Sequence, residues 1–256
     1  MSTHRDAVHA QFNARASAYL TSSVHAAGPD LRRAHELVSA TSPRPVRALD
    51  LGCGAGHLSF ALSPLVGSVV ALDPSDGMLA QVATEAVARG LTNIATMRSD
   101  AESVPYPDAC FDLVATRYSA HHWTDLDAAI AEVRRVLAPG GHVLVIDIEA
   151  PADALSDSHL QTIELLRDRS HVRNRSDAEW QALLRRIDVD IIATERWGTR
   201  LEFASWVARM GTSEAKANVI RTVLDEAPAE VRNALHVEVD GSFRASTALW
   251  WGRLLT

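Results

Sequence analysis

"RALDLGCGAGHLSFAL", residues 47–62, runs an apolar strand into five residues carrying three glycines and then into an amphipathic stretch. In a chain with only 13 glycines, Gly52, Gly54 and Gly56 fall on alternate positions, where the backbone can turn sharply and approach a ligand that a Cβ would hold off. The flanking segments supply the sheet such a loop needs. Apolar strands are expected at 46–51, 68–73, 93–98, 111–116 and 142–148. Between them come helices from Gly56, from Ser75 to a C-cap at Gly90, and over 125–137, with a "PGG" turn at 139–141. Short apolar strands separated by helix-length segments imply right-handed crossovers and a doubly wound α/β domain. In that architecture ligands sit beyond the carboxyl ends of the strands where the winding reverses, which is where the glycines lie.

Asp73 closes the second strand, where a carboxylate can accept hydrogen bonds from ribose hydroxyls. The glycine spacing is G-x-G-x-G, followed by His57, whereas a dinucleotide fingerprint needs G-x-G-x-x-G, so NAD is disfavoured. The first 40 residues carry two helical stripes, one of Val8, Phe12, Ala16 and Tyr19, the other of Leu31, Ala34, Leu37 and Val38. "SPRP" at 42–45 ends that region. After "EAP" at 149–151 a helix with Leu160, Ile163 and Leu166 is expected, then "SDAEWQALL", where Ser176 and Glu179 have capping-box spacing. β-structure returns at "VDIIATERW". The C-terminal "HVEVDGSFRASTALWWGRLL" is read as two strands around an Asp240-Gly241 hairpin turn.

Composition bounds the rest. With 256 residues, 47% hydrophobic and 22% charged, the chain can bury a full core, and a net charge of -7 with no basic run argues against a nucleic-acid partner. Cys53 and Cys110 are the two cysteines, no secretory signal is visible at the start, and no stretch reaches the roughly 18 apolar residues of a membrane span. A cytoplasmic protein, monomer or homodimer, is expected.

"LDLGCGAGHLS" resembles the first motif of the class I S-adenosylmethionine-dependent methyltransferases, "VALDPSDGML" their second, and "SDAESVPYPDACFDLV" their third and fourth. "EVRRVLAPGGHVLVID" resembles the segment leading into their fifth strand. The small-molecule branch similar to ubiquinone and menaquinone biosynthesis C-methyltransferases resembles it most. The resemblance implies a seven-stranded, mostly parallel Rossmann-like sheet and the cofactor S-adenosyl-L-methionine, with S-adenosyl-L-homocysteine as product. It also implies a helical lid over 1–42, a cofactor core over 43–150, and a helical insertion with C-terminal strands over 151–256.

Carried over residue by residue, it puts Asp50, Gly52, Cys53, Gly54 and Gly56 around the methionine part of the cofactor and Asp73 on the ribose. Pro74 and Met78 border the adenine, Asp100 and Ala101 bind it, and Arg117 lies beside the sulfonium. Met78 has equal standing as a core residue. Tyr19 resembles a lid tyrosine that reaches the cofactor, or is a helix-face aromatic. His25, His171 and Arg173 resemble acceptor-covering positions, with a solvated charge the other reading of Arg173. Trp206, Trp250 and Trp251 read as core or sheet edge.

Methyl transfer is an in-line displacement that needs a base only if the acceptor carries a proton. Tyr118, His121 and His122 follow the fourth strand, where the acceptor would approach. Histidine is the natural base, expected to titrate near about 6 to 7, although the two histidines could equally cap or bond locally. No acidic cluster with ligand spacing accompanies them, so no metal is expected. The motif "TRYS" departs from the Asn-Pro-Pro-Tyr of nucleic-acid amino-methylases. The expected reaction is methyl transfer to a C- or O-atom of a small, partly apolar metabolite. The alternative is a protein of this fold that binds the cofactor without transferring methyl, as a regulatory module or a cyclase.

Overall fold

The structure is a computed structural model that describes Thr3, His4, Gln11 and residues 28–255. Its centre is a seven-stranded sheet in the order β3-β2-β1-β4-β5-β7-β6. The strands are β1 (Arg47–Leu51), β2 (Ser68–Asp73), β3 (Ile94–Arg98), β4 (Phe111–Arg117), β5 (Leu137–Glu149), β6 (Val189–Leu201) and β7 (Phe243–Leu254). β1 to β5 pair in parallel, and β7 lies antiparallel between β5 and β6. From β1 the chain winds outward through β2 and β3, then returns to place β4 on the other side of β1. The exits of β1 and β4 therefore face each other at the switch point.

The helices follow from the same patterning. They are α1 (Pro29–Ala40), α2 (His57–Leu62), α3 (Asp76–Ala88), α4 (Leu126–Val136), α5 (Ala154–Arg167), α6 (Asp177–Arg186), α7 (Phe203–Met210), α8 (Glu214–Asp225) and α9 (Ala229–Ala234). Ser75 caps α3, its side chain accepting from Met78 N–H, and Ser176 and Glu179 form the reciprocal capping box of α6. Alternation within the strands splits the core between the two sheet faces. Leu49, Leu51, Val70, Trp180 and Trp250 pack on one, and Leu31, Val38, Leu58, Leu113, Ile146 and Trp251 on the other.

One expectation at the C-terminal end is corrected. Asp240-Gly241 does form a tight turn, with Gly241 at φ +83° and the Glu238 N–H donating to the Ser242 carbonyl at 2.7 Å. The run before it, however, is no strand. Residues 235–242 form no ladder with β7, whose pairing is with β5 and β6, and Val239 stands 99% exposed. The segment between β6 and the turn instead holds α7, α8 and α9; the apolar faces of α7 and α8 join α5 and Phe243 in a separate cluster around Trp206, and Val231 of α9 packs with Ala227 and Leu235. The "PGG" turn lies within β5, where the register against β4 shifts between Phe111 and Leu113, so that Phe111 pairs with Leu137 and Leu113 with His142.

α1 is tied to the end of β4 by a buried ion pair. Arg117 Nε donates to Asp30 Oδ2 at 2.6 Å, with side chains only 5% and 3% exposed. Removing one member of such a pair leaves the other charge in a medium that solvates it poorly. Asp30→Ala should therefore lower the unfolding free energy by about 3 kcal/mol or more, measured by urea denaturation; a loss under about 1 kcal/mol, the worth of a surface pair, would show that the pair is not load-carrying.

Candidate active site

The exit of β1 is shaped by backbone that only glycine adopts easily. Gly52 has φ +72° and Gly54 φ +50°. The N–H groups of Gly52 and Cys53 both donate to the Leu72 carbonyl, at 2.8 and 2.9 Å, which binds the loop to the end of β2. A Cβ on Gly52 would overlap the Ser119 hydroxyl, whereas one on Gly54 would meet open space. Gly54 thus presents bare backbone to a cavity, and Gly56 does not. A Cβ there would press on Phe60 and Val82, so Gly56 serves the packing of α2 on α3.

Along this cavity lie Asp50, Gly52, Cys53, Gly54, Asp73, Pro74, Met78, Asp100, Ala101 and Arg117. Asp50 is 1% exposed; its Oδ2 accepts from the Ser59 hydroxyl at 2.6 Å, and its Oδ1 has no hydrogen-bond partner among the described residues. Burial outweighs the Ser59 bond and pushes the carboxyl up to about 7. Asp73 accepts from Gly54 N–H and Ser75 N–H, both at 2.9 Å, which holds its carboxylate at the mouth of the glycine loop. Met78 is buried and also lines the cavity. Burial, with Asp73 and Asp50 nearby, pushes the Cys53 thiol up, so it stays protonated.

The exit of β4 brings three expected residues together. Tyr118 adopts φ +51°, a strained conformation for an aromatic residue. Burial pushes its phenol up to about 12, and its hydroxyl is in contact with Thr247 Oγ1 at 3.2 Å, so Tyr118 holds its proton in neutral solution. His121 Nδ1 lies 2.6 Å from Asp147 Oδ1, and its backbone N–H donates to Asp147 Oδ2 at 3.2 Å. Burial alone would lower the imidazole, but the charge of Asp147 and this hydrogen bond win and raise it. His122 Nδ1 faces the Ser170 carbonyl at 3.0 Å. Burial, helped by His121, lowers it to about 4.

Asp147, from the end of β5, was not anticipated. Its signal was visible as an acid closing the fifth strand opposite a histidine pair, but pairing across strands cannot be read from one strand.

His171 and Arg173 do not line the cavity. Burial pushes the His171 imidazole far down, with Nε2 2.9 Å from Gln161 Oε1. Arg173 is drawn off by Asp157 at 2.7 Å and Glu179 at 3.6 Å. The wall facing the histidines comes instead from Ile148, Glu164, Arg167, Asn174, Leu201 and Trp206. Tyr19 and His25 lie outside the described residues. Among the described residues no group of three His, Cys, Asp or Glu side chains could hold a metal ion, and no helix is long and apolar enough to cross a membrane.

These features coincide with those of known proteins. A family described as "Methyltransferase domain" matches residues 49–145. The uncharacterized protein YafE of Escherichia coli K12 is 45% identical over 194 residues, covering 75% of this chain and 93% of its own. The uncharacterized methyltransferase YcgJ of Bacillus subtilis is 33% identical over 229 residues, 90% of each chain. The crystal structure of YcgJ superposes with a TM-score of 0.82 at 32% identity, over 89% of this chain and 98% of that one. The ubiquinone/menaquinone biosynthesis C-methyltransferase UbiE of Shewanella sp. ANA-3 is 36% identical over 123 residues, 46% of this chain and 49% of its own. The chain belongs to the class I S-adenosylmethionine-dependent methyltransferases. S-adenosylmethionine is its cofactor.

The residues present suit that group. The bare backbone at Gly54 leaves room for it, Asp73 offers the acceptor a ribose requires, and the partnerless Asp50 oxygen suits a cationic ammonium. Because Asp50 titrates near 7 when nothing compensates it, binding of the ammonium-bearing product S-adenosylhomocysteine should release a proton. Affinity should then fall by up to about tenfold per pH unit below that value. Calorimetry in buffers of different ionisation enthalpy measures the proton, and Asp50→Asn should bind more weakly with no pH dependence in this range.

Proposed function

We propose that the enzyme methylates a small, partly apolar metabolite whose proton is removed by His121. The observation that carries this reading is the His121–Asp147 contact of 2.6 Å beside the cavity. Asp147 also accepts the backbone N–H groups of His121 and Ile148, at 3.2 and 2.8 Å, so its carboxylate is fixed relative to the ring. With Nδ1–H directed at Asp147, Nε2 is the nitrogen that takes a proton. The cofactor supplies an electrophilic methyl; the chain's own part is to hold the acceptor in line, exclude water and accept the proton. His122, lowered to about 4, is neutral in neutral solution and packs against His121 with ring centres 4.1 Å apart. His171 serves in this reading as a support behind His121, 5.7 Å between ring centres.

An acceptor is found by screening a metabolite extract for a mass gain of one methyl. With it, His121→Ala should lose about 100- to 10,000-fold in turnover and keep its affinity for S-adenosylhomocysteine, while His122→Ala should be milder. Turnover must rise with pH as the free imidazole accumulates. Because Asp147 raises His121, the midpoint should lie above the ordinary histidine value rather than near about 6 to 7. Asp147→Asn should move that limb toward acid and lower the plateau. A profile unchanged in both variants would remove His121 as the base.

A further inference from the structure

Within the loop between α5 and α6, one side chain keeps unspent hydrogen-bonding capacity. Asn174 is 2% exposed and lines the cavity beside His121, yet its Nδ2 has no hydrogen-bond partner among the described residues. Its backbone, by contrast, is held on both sides by Gln161 of α5. Gln161 Nε2 donates to the Asn174 carbonyl, and Asn174 N–H donates to Gln161 Oε1, each at 3.0 Å. Gln161 Nε2 also donates to Asp157 Oδ1 at 2.7 Å, which fixes the orientation of the Gln161 amide.

The loop is fastened to His121 as well. Val172 and Arg173 N–H both donate to the His121 carbonyl, at 2.8 and 3.2 Å. On the far side the Arg175 carbonyl accepts Ala150 N–H at 3.0 Å. A rigid loop thus carries Asn174 to a set place relative to the base. A buried amide donor without a partner is rare in folded proteins unless a ligand or water takes it.

The surroundings narrow what that ligand is. Ile148, Leu201 and Trp206 give the wall an apolar character. Nearby charges are already engaged: Glu164 with Arg167 at 2.7 Å, and Asp168 Oδ1 with the Ser170 N–H and hydroxyl at 2.8 and 2.6 Å. What the wall offers is a neutral, partnerless N–H donor on the same cavity as His121, among apolar side chains. That suits a molecule with an acidic proton whose loss leaves negative charge on an oxygen. A neutral amide strengthens its bond to such an oxygen as the charge forms, without the firm ion pair that would quench its nucleophilicity.

We propose that Asn174 is an acceptor-binding residue that donates its amide N–H to the oxygen of a phenol or enol, the substrate class of this enzyme. The proposal rests on the reading of His121 as base. The O–H bond of the acceptor breaks and the proton passes to His121 Nε2. The oxygen, or the carbon conjugated to it, then bonds to the methyl carbon as the S–C bond breaks, and that electron pair stays on sulfur.

The test uses the full chain saturated with S-adenosylhomocysteine, with para-nitrophenol as probe and nitrobenzene as the control that lacks the oxygen. Titrations below the probe's own pKa read affinity, and its absorbance reads ionisation. Wild-type protein should prefer para-nitrophenol and bind it in part as phenolate. Asn174→Leu should weaken para-nitrophenol by about 10- to 100-fold and leave nitrobenzene unchanged. Asn174→Asp, nearly the same shape but with no donor, should lose the phenol equally. Unaltered melting and S-adenosylhomocysteine affinity show that both variants are folded. Wild-type protein that fails to favour the phenol, or variants that bind it as wild type does, would overturn the proposal. His121→Gln should abolish ionisation of the bound probe while keeping most of its affinity. If the probe ionises without His121 but still depends on Asn174, the base assignment falls and the Asn174 assignment stands.

Discussion

At Gly52 the chain has a hydrogen where any other residue would carry a Cβ in collision with the Ser119 hydroxyl. That contact brings the exit loops of β1 and β4 together, and the active site is built from their meeting. Ser119 in turn accepts the Trp123 indole N–H at 3.1 Å, and Trp123 packs into the core with Leu49 and Leu126. The close approach is therefore anchored on both sides. On the β1 side it carries the glycine loop and on the β4 side the histidine pair, so the two share one rigid reference. Methyl transfer depends on alignment more than on any other effect the protein can supply.

Buried charge is the second constraint, and each acid is managed differently. Asp73 is satisfied by backbone N–H groups, Asp147 by His121 and two backbone N–H groups, and Asp30 by Arg117. Asp50 alone is left half satisfied, and burial raises it. The histidines sort by the same logic. His121 has a carboxylate and is raised, while burial and the proximity of His121 lower both His122 and His171. Only one of the three neighbouring rings can readily become cationic, which separates His121 from His122 and His171 more sharply than adjacency in sequence suggests.

The parallel half of the sheet was legible because its strands carry apolar runs, β1 closing at Gly52 and β2 at Asp73-Pro74, and local pattern decides such elements. The C-terminal half was not. "HVEV" alternates as a strand should, yet it forms no ladder with β7, a tertiary outcome with no local trace. The helices α7 and α8 escaped for a related reason: their short apolar faces find their partners on α5 and β7. In the site, residues within a motif were legible and partners across strands were not. Asp147, Asn174 and the ion pairs that draw Arg173 away depend on packing between distant segments.

That asymmetry has a physical origin. The cofactor half of the cavity is made by loops that leave adjacent parallel strands, so its residues recur at strand ends in chain order. The acceptor half is made where the end of β5, α5, the loop before α6, the end of β6 and α7 converge, segments joined by packing around Trp206 and by the Gln161 clamp. A change there alters what is bound while leaving the glycine loop and the His121–Asp147 pair in place. Such a division lets one donor site serve different acceptors.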